Sequence, residues 1–215
     1  ADQFFPNWNA AYIQDKMEFS TAIVNLGFRV ERFDPGQQVA NPDTSRGVAR
    51  YDIPGAKWSF LPRAGFSFPV TERDMFYFSY GHFFQRPQLS NVYTSVNQVY
   101  GSSASIVGNP DLKPEETIQY EFGIRHQFGL NTLLSVTGFF KDIDNLVQVR
   151  PEFDEAGNVF NTFFNDAYGT SKGLELQLTQ RAGRFFSGDA TYTFQVAKAT
   201  HSDPRDTYDT LDIID

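Results

Sequence analysis

The stretch FSTAIVNLGFRVERF, residues 19–33, sets Ala22, Val24, Leu26, Phe28 and Val30 at every second position, with Asn25, Gly27, Arg29 and Glu31 between them. Side chains that alternate with a period of two point to opposite faces of an extended chain. The stretch therefore reads as a β-strand with one apolar and one polar face.

The same even-numbered apolar parity returns down the chain. Phe60, Ala64, Phe66, Phe68 and Val70 oppose Ser59, Arg63, Gly65 and Ser67, and Ile118, Tyr120, Phe122, Ile124 and Phe128 oppose Gln119, Glu121, Gly123, Arg125 and Gln127. Leu134, Val136 and Phe140 then oppose Ser135, Thr137 and Lys141, and Leu174, Leu176 and Leu178 oppose Glu175, Gln177 and Thr179. The last such segment sets Phe186, Ala190, Tyr192, Phe194 and Val196 against Ser187, Asp189, Thr191, Thr193 and Gln195. A segment over residues 75–86 is less clean, because Tyr77 and Phe83 break the parity of Phe76, Phe78, Tyr80 and Phe84. A weaker first strand is expected near residues 8–14.

Composition agrees with strands: the 215 residues include 23 Phe, 10 Tyr and 2 Trp, and aromatic residues favour the pleated sheet. A mean hydropathy of −0.40 and the lack of a long apolar run exclude a transmembrane helix. They leave a β-barrel open, since alternation averages hydropathy toward zero. Without cysteine there is neither a disulfide framework nor a thiolate metal site. The net charge of −8, with no clustered basic surface, argues against nucleic acid as a partner.

Connections between segments alternate in length. Short ones are read at residues 15–18, 71–74, 129–132 and 181–184, and long ones at 34–57, 87–115, 151–167 and from 200 onward. That alternation suits a membrane barrel with tight turns on one side and long recognition loops on the other. Charge placement tests the idea. A Lys or Arg at mid-depth on a lipid face costs about 2–4 kcal/mol. The central apolar-parity positions carry no charge, and Arg32, Arg86, Asp142, Lys172 and Lys198 fall at segment ends. A sandwich core would exclude charge too, so a soluble β-sandwich that binds glycans stays open.

The stretch GNPDLKPEETIQYEFGI, residues 108–124, resembles the segment with which TonB-dependent outer-membrane receptors leave a long outer loop and enter a barrel strand. Pro110 and Pro114 fix an extended approach, Lys113 and Glu115 stay at the polar rim, and alternation begins at Ile118. SVTGFFKDIDNLVQV (135–149), AYGTSKGLELQLTQR (167–181) and AAYIQDKMEF (10–19) are similar to the same barrel. Residues 57–87 look like the variants that carry a carboxypeptidase-regulatory-like domain before the plug.

The resemblance implies an all-β fold: an antiparallel transmembrane β-barrel in the bacterial outer membrane, here a partial one of about eight strands from a 22-stranded wall. On this expectation residues 1–215 are a partial receptor barrel domain, without the plug domain or the closing strands and with the natural N-terminus upstream. The implied function is energy-coupled uptake of a bulky or scarce nutrient, with no enzyme activity. Its implied partners are outer-membrane lipid, the TonB complex reached through the missing plug, and a nutrient ligand that the sequence does not identify. Arg29, Arg63, Glu121, Arg125, Glu175 and Asp189 are expected to line the lumen. A surface or adhesion barrel that does not transport is the alternative from another class.

No catalytic constellation accompanies this. His82, His126 and His201 lack the spaced partners of a metal site, and His82 has Tyr80 and Phe84 as same-face neighbours rather than a Ser and an orienting acid. Asp203, Asp206, Asp209, Asp212 and Asp215 recur every third residue, yet no Gly-turn loop of a calcium site goes with them, so a solvated acidic tail is expected. Neither a metal nor a cofactor is expected.

Overall fold

The computed structural model describes residues 5–36, 55–93, 106–153, 159–181 and 186–200. The acidic tail and most of the first long loop lie outside them. The described chain forms β1 (Asn7–Glu18), β2 (Ile23–Asp34), β3 (Lys57–Pro69), β4 (Asp74–Gln85), α1 (Leu89–Tyr93), β5 (Ile106–Val107), β6 (Glu115–Phe128), β7 (Thr132–Phe153), β8 (Val159–Gln180) and β9 (Gly188–Ala199). Eight long strands make one antiparallel meander in the order β1-β2-β3-β4-β6-β7-β8-β9, and the two-residue β5 joins β8 in parallel. This is an open segment of a transmembrane β-barrel.

The expected apolar face is uncovered. In β2 through β9 the exposed large apolar side chains are even-numbered apart from Met75 and Phe83, from Leu26 and Phe28 through Phe122 and Ile124 to Tyr192 and Phe194. No second layer of the described residues packs on them, so the sandwich alternative fails. In water such a belt would forgo about 2 kcal/mol for each large side chain, a cost that acyl chains remove.

Register explains why the parity survives every loop after β2. Residues directly opposite in an antiparallel pair share a face, so parity is kept when an odd number of residues separates the paired ends. From β2 onward every connection satisfies this, for example between Pro69 and Met75 or between Phe128 and Thr132. The β1–β2 turn does not, because residues 19–22 separate Glu18 from Ile23 and set Ile13 against Phe28. The outward face of β1 is therefore odd-numbered, and Ile13 is 73% exposed.

Two boundaries differ from the sequence expectation. The first short turn is not at residues 15–18, which complete β1, but at 19–22. The expected loop at 151–167 is largely strand: β7 and β8 each run 22 residues, roughly 70 Å at about 3.3 Å per residue. A bilayer crossing needs only about 9–11 residues, so this hairpin continues well past the apolar band. Register shifts around Leu146 and a left-handed Asn145 with φ 59° mark where it bends. Asn accepts that conformation more readily than most residues.

Candidate functional site

Arg29, Arg63, Glu121, Arg125, Glu175 and Asp189 all fall on the face opposite the exposed apolar belt. The register brings three of them together. Arg63 and Glu121 line a trough of about 430 Å³ with Gln14, Asn25, Ser79 and Gln119, and Arg29 joins Arg63 in an adjoining hollow of about 210 Å³. Arg125, Glu175 and Asp189 stand apart, with Glu175 between Thr137 and Thr193 and Asp189 accepting from Thr179 Oγ1 at 2.6 Å.

Arg29, Arg63, Glu121 and Arg125 are each held by a neighbour on their own face. Arg29 pairs with Glu31, which is itself buried. Ser79 Oγ donates to Glu121 Oε2 at 3.1 Å, and the Gln119 amide donates to Oε1, so both oxygens of that carboxylate are engaged. The Arg63 guanidinium lies 4.6 Å from the centre of the Phe83 ring, and that of Arg125 lies 4.8 Å from the Tyr77 ring.

These stackings resolve the ambiguous segment in β4. Tyr77 sits directly opposite Gly123 and lies over it so closely that a Cβ there would stand 2.4 Å from the ring. Its hydroxyl meets Thr137 Oγ1 at 2.5 Å. Sequence reasoning passed over Tyr77, Phe83, Gln14 and Ser79 as parts of this surface. The available signal was an aromatic on the polar parity with glycine across the ladder, which only the register reveals.

At the long-loop end the same inward face is covered. Ser59 and Leu61 are 4% and 3% exposed, while their neighbours Trp58 and Phe60 are 57% and 60% exposed. The connection between β4 and β6 is tied down at this end. Tyr93 donates to the Pro35 carbonyl, Lys57 pairs with Asp111, and Val92, Val107, Pro110 and Leu112 are buried. Burial, reinforced by the negative charge of Asp34, raises the Tyr93 phenol above its ordinary value.

His82 and His126 have ring and acid neighbours at the wall's rims, and His201 lies outside the described residues. His82 meets the Tyr80 hydroxyl at 2.5 Å, and His126 Nδ1 lies 2.6 Å from Asp74 Oδ1. Among the described residues no group of three or more His, Asp or Glu is placed to hold a metal ion. The chemistry this surface offers is reversible polar contact along a wet wall.

The family profile described as TonB dependent receptor-like, beta-barrel, matches residues 2–214. An iron-regulated outer membrane virulence protein of Vibrio cholerae is 30% identical over 128 residues, which is 54% of this chain and 19% of that protein. Among solved structures, the hemophore receptor of Serratia marcescens, in complex with its hemophore and heme, superposes with a TM-score of 0.67 at 19% identity. That match covers 90% of this chain and 34% of the receptor. The ferric-catecholate import receptor of E. coli K12 gives a TM-score of 0.60 at 20% identity, covering 92% of this chain and 28% of that one. At these identities the two structures establish the fold.

Proposed function

This chain belongs to the TonB-dependent receptor β-barrel family of outer-membrane transport receptors, and from that premise we propose that it is part of the wall of a receptor that imports an iron chelate, a siderophore complex or heme. The division of the wall carries the proposal. An uncharged apolar belt meets lipid, and a polar face opposite it, charged and hydrogen-bonded within itself, meets the transported solute or the plug. Arg29, Arg63, Glu121, Arg125, Glu175 and Asp189 are the lumen-lining residues of this proposal, with Arg63 and Glu121 bordering the trough of about 430 Å³. Iron as cargo is supported by the 30%-identical relative, whose name records iron regulation.

Import against a gradient through a plugged lumen needs energy, which the family draws from the TonB complex. That partner is part of the proposal. The test is uptake of labelled ferric siderophores and of heme by the native bacterium, with and without the gene for the intact receptor. Loss of uptake of one iron chelate, restored by the intact gene, is the expected result. Unchanged uptake of every iron chelate, together with lost uptake of a nutrient without iron, refutes the iron reading.

A further inference from the structure

We propose that residues 106–115 are a fixed brace across the mouth of this wall rather than a moving lid, with Asn109 and Asn165 as its positioning residues. The strands on either side of the connection, β4 and β6, pair directly with each other, so a simple turn would join them. The chain instead reaches past both. On one side Tyr93 and Asp111 tie it to Pro35 and Lys57, at the ends of β2 and β3. On the other side β5 pairs with Asn161 and Thr162 of β8, along the edge turned away from β7. The ladder between β8 and β9 ends at Gly169 and Ala199. Beyond that point, among the described residues, Ile106 and Val107 take up the β8 edge at Asn161 and Thr162.

Side chains complete what the two-residue ladder begins. Asn165 works as a substitute strand: its Oδ1 accepts from Lys113 N at 2.7 Å, and its Nδ2 donates to Lys113 O at 3.0 Å and to Asn145 O at 2.7 Å. Both amide hydrogens are thereby used. Asn109 donates to Phe163 O at 2.8 Å, accepts from Asp111 N at 2.8 Å, and its own N–H reaches Asn91 O at 2.8 Å. Thr162 is fully buried, with its hydroxyl on the Val107 carbonyl at 2.9 Å. To lift the segment would strand buried polar groups and expose Leu112 and Val107 together. Pro110 and Pro114 stiffen the chain between the anchors, so little conformational entropy is gained on release. Such a brace holds the long β7–β8 hairpin at a set position and confines ligand-driven motion to other segments.

Amide hydrogen exchange of the intact receptor, read by mass spectrometry, tests this. The amides of Asn109, Asp111, Leu112, Lys113 and Glu115 report on the brace. Slow exchange is expected without ligand, and the same slow exchange after addition of whichever probe the receptor takes up, a ferric catecholate or heme. Asn165→Ala is expected to speed exchange there roughly tenfold or more and to leave the β3–β4 hairpin unchanged. Asn165→Asp, which keeps the acceptor and loses both donors, is expected to fall between, and it replaces the Ala variant should that one fail to insert.

Brace exchange that changes with ligand overturns the proposal, as does an Asn165 variant that exchanges like the natural protein. The ligand arm alone rests on the import reading. A receptor that takes up neither probe refutes that reading, and the Asn165 arm still decides the brace.

Discussion

Ala10 and Ala11 are adjacent, identical, and assigned to opposite faces by the β1–β2 register. Ala11 pairs with Val30 and shares the lipid-facing side, whereas Ala10 pairs with Glu31 and faces inward. Carrying the even-numbered rule of the other strands into β1 reverses that assignment. Because both positions hold Ala, an Arg at either removes almost no packing, and the difference between the two variants measures the environment that the new charge enters.

Ala11 lies near the middle of a 12-residue strand, opposite an apolar residue of the band. Ala11→Arg is expected to cost about 2–3 kcal/mol, inside the range for lipid-facing Arg near mid-depth, or roughly 30-fold to 140-fold in the folding equilibrium. Ala10→Arg enters a polar face beside an acidic residue and is expected to stay within about 0.5 kcal/mol of the natural protein. Folding of the intact receptor into liposomes across a urea series gives the comparison, with folded and unfolded fractions separated by heat-modifiable gel migration. Should Ala10→Arg prove the more harmful, the four-residue turn and the inverted parity of β1 are wrong.

Three further outcomes follow from particular contacts. Gly123→Leu drives a side chain into the Tyr77 ring, where even a Cβ would stand at 2.4 Å, and is expected to cost about 1–3 kcal/mol; thermal unfolding checks it, and the loss should shrink in a Tyr77→Ala background. Arg29→Ala leaves Glu31, with a side chain only 10% exposed, as an unpaired carboxylate. About 1–3 kcal/mol should be lost, and Arg29→Ala with Glu31→Leu should recover most of it in the same thermal assay. Finally, the raised phenol of Tyr93 binds its proton more tightly folded than unfolded. Its contribution is complete below the ordinary tyrosine range and is lost as pH rises through the raised value. A spin label at Lys113 should therefore gain mobility in alkaline solution, and Tyr93→Phe should remove that pH dependence.

Much of the wall was legible because its cause is local. Alternation in residues 19–33 or 118–128 needs only the geometry of an extended chain and the difference between lipid and water on its two sides. The absence of charge at central even positions follows from the same transfer cost. The extra reach of β7 and β8 was not legible: Pro151 and the polar residues near it suggest a loop, yet past the membrane a strand need not alternate in hydrophobicity. Of the six charged residues picked from the polar parity, the sequence placed all on one face but could not tell that Arg29, Arg63 and Glu121 converge while Arg125, Glu175 and Asp189 do not.

By itself, then, the amino-acid order determined where the membrane-crossing strands from β2 onward lie, which of their faces is apolar, and, through GNPDLKPEE, the resemblance to a family. Tertiary structure alone decided the inverted face of β1, the stacking of Tyr77 over Gly123 beneath Arg125, and the tie between Asn165 and Lys113, which are 52 residues apart. The physical reason is range. Periodicity is written into neighbouring residues, whereas register and bracing depend on hydrogen bonds whose partners are chosen only when distant strands lie side by side.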